Sequence, residues 1–238
     1  MAENIVGGGS RLETRFLEER ARRDYVAQNL VDWGSAFATI VDPTPADYTE
    51  YWTKRLEFIA SRAPGLKPNL PSLGLSIGQI QDLRKAGWGL AVHLPRVFTL
   101  RILSTVYPQL VGHWTLESGS GIHHGIREGW FAFEEVTDAP NMRLHPGEDM
   151  RLIEQQRGVR RMHPISYCIA SCDHRDRTGE FFDQWETWTY LRNPSGSKPL
   201  FACFIPAANG ANGSPQVTQN WMSGITWGNT GARFERAV

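Results

Sequence analysis

The sequence predicts an α+β fold in which N-terminal helices pack on a mostly antiparallel, Trp-rich β-sheet region. Three observations lead there. Helical spacing and helix-cap signals crowd the first part of the chain. Short β-branched and aromatic runs, separated by glycine, proline and asparagine, fill the rest. Seven of the nine tryptophans lie at or after Trp88. Helices and strands segregated along a chain in this way build an α+β architecture. The expected regions are a helical 1–96 and a β-rich 97–238, either separate or integrated as one domain.

The helices come first. After a glycine-rich lead, Ser10 precedes Glu13 by three residues, the spacing of a capping box. Leu12, Phe16, Val26 and Leu30 follow at near-helical intervals, so Arg11 to about Trp33 reads as an amphipathic helix ended by Gly34. The next helix is signalled by Thr44 as N-cap, Pro45 at the first helical position and Asp47 near the positive end of the dipole. Tyr48, Tyr51, Trp52, Leu56 and Ile59 then share a face until Pro64-Gly65 stops it. Ser76 and Gln79 repeat the capping-box spacing and open a short helix, Ile77 to Ala86, closed by Gly87. Gly89 to Leu94 reads as a strand.

From Val97 the runs Val97–Tyr107, His113–Glu117, Ile122–Val136, Ile165–Asp173, Phe181–Leu191 and Leu200–Ile205 are expected strands. Polar and apolar residues partly alternate from Gln184 to Tyr190, as in a half-buried strand. Pro146 to Gln156 reads as a helical turn or two, Asn209 to Pro215 as a loop, and Ile225–Trp227 as a last strand.

Composition narrows the function classes. With 41% hydrophobic and 21% charged residues the chain is ordinary for a soluble globular protein. Its 25 basic and 25 acidic residues cancel. Gripping phosphate backbones or anionic membranes calls for a positive surplus, so nucleic acid and membrane are disfavoured as partners. Three cysteines (Cys168, Cys172, Cys203) and the absence of a signal-peptide pattern point to the cytoplasm.

Candidate chemistry is sparse. Cys168, Cys172 and His174 form a short Cys/His cluster. On a strand, the two thiols would lie about 13 Å apart, too far to share one zinc. That leaves Cys172 and His174 as the metal-ligand pair to consider, with buried core cysteines as the simpler reading and no cofactor expected. His123, His124 and Glu128 sit in a glycine-flanked stretch. With His174 they are the candidate catalytic groups, since histidine titrates near neutrality. Adjacent residues on a strand point to opposite faces, which separates His123 from His124. The basic run Arg157, Arg160 and Arg161 reads as a solvated loop paired with Glu148, Asp149 and Glu154. Trp130, Trp185, Trp188 and Trp227 are the candidate binding residues, because a large flat ring is costly to leave in water.

The expected function is therefore a non-enzymatic binding or assembly protein that docks a protein partner or a second copy of itself through an aromatic β surface. The alternative is a hydrolase-type enzyme with a His/carboxylate site, with or without a metal.

Overall fold

A computed structural model describes residues 28–62, 70–93, 107, 129–141, 148–183, 187–192, 200–205, 214–219 and 230–238. Within them the fold is α+β, with five helices and two four-stranded sheets.

Helix α1 covers 28–38 and so runs through Gly34, the residue expected to end it. Gly34 is instead a contact point. A Cβ there would lie 2.4 Å from the carbonyl oxygen of Asp176, so only glycine lets the two backbones approach this closely. Gly34→Ala is expected to destabilise the fold by about 1–3 kcal/mol, the usual cost of overpacking, in urea unfolding. An unchanged midpoint would show that the helices separate freely.

Helix α2 (Pro45–Ser61) begins as its sequence dictates. The Thr44 side chain accepts from the Asp47 amide, and Asp47 accepts from the Thr44 amide at 2.7 Å. Its apolar face buries Tyr48, Tyr51, Trp52, Leu56 and Ile59. Helix α3 (Ile77–Lys85) has the same reciprocal cap from Ser76 and Gln79, and Gly87 follows it at φ +76°.

The first sheet has the order β1-β2-β8-β3, all antiparallel, with β1 Trp88–His93, β2 Gly129–Glu134, β3 Arg160–Arg161 and β8 Phe234–Ala237. Both α3 and the later helix α5 (Pro164–Thr178) contact β1, and that strand is buried on both faces and shows no alternation. The second sheet, β6-β5-β4-β7, comprises β4 Trp188–Leu191, β5 Leu200–Ile205, β6 Ser214–Gln219 and β7 Thr230–Ala232. Its β4–β7 pair is parallel and the others antiparallel.

Arg233 alone separates β7 from β8, so the chain changes sheets at one fully buried residue. Its guanidinium donates to the carbonyls of Glu134, Val136 and Asp138 and lies 3.9 Å above the Phe182 ring. Those bonds fasten the turn after β2 to the crossover.

Two more helices lie between the strands: α4 (Glu148–Arg157), where a turn or two was expected, and α5 (Pro164–Thr178). The expected strand Ile165–Asp173 is thus a helix, and this corrects the sequence reading. His163 caps α5, Pro164 occupies its first turn, and Gly179 ends it in the left-handed conformation at φ +87°. Helix α5 touches both sheets and is buried on nearly every side. The main core combines residues of α1, α2, α3, β1, β2 and α5 with Phe181, Phe182, Leu191, Leu200 and Ala202. It therefore draws side chains from both sides of position 96. The expected strand at His113–Glu117, the 209–213 part of the expected loop, and the expected strand at Ile225–Trp227 lie outside the described residues.

Candidate functional site

Three polar or open regions stand out. In the first, α2 meets α5. Tyr51 and Arg55 are one turn apart on α2, while Asp173, Asp176 and Arg177 share a face of α5. Arg55 is 1% exposed. It donates to Tyr51 Oη at 3.0 Å, Tyr107 Oη at 2.5 Å and Asp176 Oδ2 at 3.1 Å, and its Nε lies 3.4 Å from Asp173 Oδ1. Burial pulls the guanidinium pKa down, but Tyr107, Tyr51 and the two aspartates more than offset it, leaving it well above its ordinary value. Burial also lifts the Asp176 carboxyl, against the pull of Arg55 and Arg175. Arg177 continues the network to Asp173 and to Glu135. Burial alone would raise the Glu135 carboxyl, yet Arg177 and His174 hold it down at about 2. This network is charge-matched and sealed, which suits it to joining two helices.

The second region is buried between β1, β8 and the first turn of α5. Ser166 Oγ lies 3.3 Å from His93 Nδ1, and His93 Nε2 lies 3.9 Å from Glu235 Oε2. Phe131 stacks on the His93 ring at 4.0 Å. Burial, with His163 and Arg160 nearby, pushes His93 down to about 3. Burial pushes Glu235 up to about 7, only partly opposed by Ser166, Arg160, the His163 backbone and Arg192. Both groups are thereby held neutral around pH 5–6, so their contact is not an ion pair there. Sequence reading missed this cluster because Ser166 and His93 are 73 positions apart and no local motif contains them.

The third region is a groove between α1 and α2. Trp33, Phe37 and Ile40 form one wall; Asp47, Tyr51 and Lys54 lie opposite, with Ala36 and Glu50 completing the lining. Phe37 stacks on Tyr51 at 4.3 Å and 12°, and Trp33 meets Phe58 edge-on at 5.8 Å. The cavity volume is about 190 Å³. At the rim Glu50 pairs with Lys54 at 2.6 Å, both well exposed. The α1 part of that wall follows from Trp33 and Phe37, one turn apart on either side of the glycine that was expected to end the helix, and Ile40 lies just beyond the helix end.

The residues singled out from the sequence are dispersed. Trp130 is buried, its indole N–H donating to the Pro71 carbonyl at 2.8 Å, and Trp188 is half-buried against a second, smaller core cluster. His174 is buried, its Nδ1 3.6 Å from Glu135 Oε1 and its ring tilted against Phe182. His123, His124, Glu128, Trp185 and Trp227 lie outside the described residues.

The helical α5 also overturns the 13 Å separation expected for the thiols. Cys168 and Cys172 are one turn apart on the same face, where side chains are about 5–6 Å apart at Cβ. His174 is two residues beyond Cys172, about 200° further round the helix, and so does not join them. Burial drives the Cys172 thiol well above its ordinary pKa, with Asp176 adding to the effect, and disfavours the thiolate a metal needs. Among the described residues no three His, Cys, Asp or Glu side chains form a metal-binding group.

Of the basic run, Arg161 bonds Glu154 at 3.0 Å, Arg160 lies 3.8 Å from Glu235, and Arg157 lies 4.0 Å from Glu134. Among the described residues no helix is long and apolar enough to cross a membrane. No family model, no curated protein and no solved structure matches this chain.

Proposed function

We propose that this chain is a non-enzymatic binding or assembly protein, and that its recognition surface is the α1–α2 groove rather than a tryptophan face of the sheets. The observation that carries this reading is the groove itself. Half-buried Trp33 and Phe37 line a concave surface, while Trp130 is spent on the core. Concave aromatic surfaces that shed water on docking supply much of the energy of protein recognition. Buried thiols at Cys168 and Cys172 are compatible with a reducing compartment, and we place the protein in the cytoplasm.

Ala36 is exposed and lines the groove, so Ala36→Trp fills it without disturbing the core. The test is light scattering of the full chain at several concentrations, alone and with a purified partner identified by affinity capture. The expected result is a complex whose dissociation constant rises at least about tenfold in Ala36→Trp, with the melting temperature unchanged. A strict monomer that retains no purified partner, or a complex indifferent to the substitution, overturns the reading.

The hydrolase reading is favoured by one observation, the approach of Ser166, His93 and Glu235. It ranks second for two physical reasons. Ser166 is fully buried, and Phe131 packs against the histidine that would serve it. A general base works best with a pKa near the operating pH, and His93 is held at about 3.

A further inference from the structure

We draw no further inference here: the strongest candidate, the groove between α3 and the end of β8 that sets Asp82 against Arg236 beside Leu75, Leu83 and Val238, carries nothing because both charged side chains are exposed, Arg236 already lies over the Trp88 ring at 5.2 Å, and nothing in the structure shows what covers it.

Discussion

Arg55→Met is expected to be the most damaging single substitution in the described fold, lowering stability by about 3–5 kcal/mol. The side chain is 1% exposed and stands between two aspartates that are 1% exposed or less. Methionine fills much of the same volume, so the loss is electrostatic rather than a cavity. Asp173 keeps Arg177 at 2.8 Å, but Asp176 is left with Tyr107 and the half-exposed Arg175, which is weak compensation for a buried charge. Urea unfolding checks the size of the loss. The double substitution Arg55→Met, Asp176→Asn identifies its cause: once the charge it leaves behind is removed, about 2 kcal/mol should return. Additive losses would mean that Arg55 acts through packing on Tyr51 and Trp52 alone.

How much of this was legible in the sequence depends on how each element is signalled. Helices α2 and α3 were readable because their starts are written locally, in Thr44-Pro45 with Asp47 and in Ser76 with Gln79. Helix α5 was misread because periodicity fails where every face is buried. Ile165, Tyr167, Cys168, Ile169 and Cys172 carry the texture of a strand, and a helix buried all round shows no apolar stripe. The signals that favour a helix were at its ends: Pro164 in the first turn, Arg175 and Arg177 in the last, and Gly179 beyond. Gly34 shows the reverse error. A glycine in a helical pattern reads as a stop, but here it marks where α1 meets the backbone of α5. Of the three site regions, only the groove wall on α1 had a local pattern. The Arg55 network and the Ser166, His93 and Glu235 cluster join distant segments, and only the fold brings them together.

The second large effect belongs to Glu235 and depends on pH. In the unfolded chain this carboxyl titrates near its ordinary 4.5, and in the fold near 7. Between these values the folded chain holds a proton that the unfolded chain has released, so stability falls as pH rises, by about 3 kcal/mol in all. His93 works in the opposite sense. Its ordinary value is 6.5 and its folded value about 3, so between them the unfolded chain binds the extra proton and stability rises with pH. From 4.5 to 6.5 the two slopes oppose one another, and wild-type stability is expected to change little on their account. Glu235→Gln removes one slope and exposes the other. Glutamine keeps the shape without the charge, so the variant should match the wild type near pH 4.5 and exceed it by about 3 kcal/mol at pH 8. Urea unfolding at half-unit steps of pH measures that widening gap. A constant gap, or a wild type more stable than the variant at pH 8, would mean that Arg160, 3.8 Å from Oε1, and Arg192 hold Glu235 ionised in the fold.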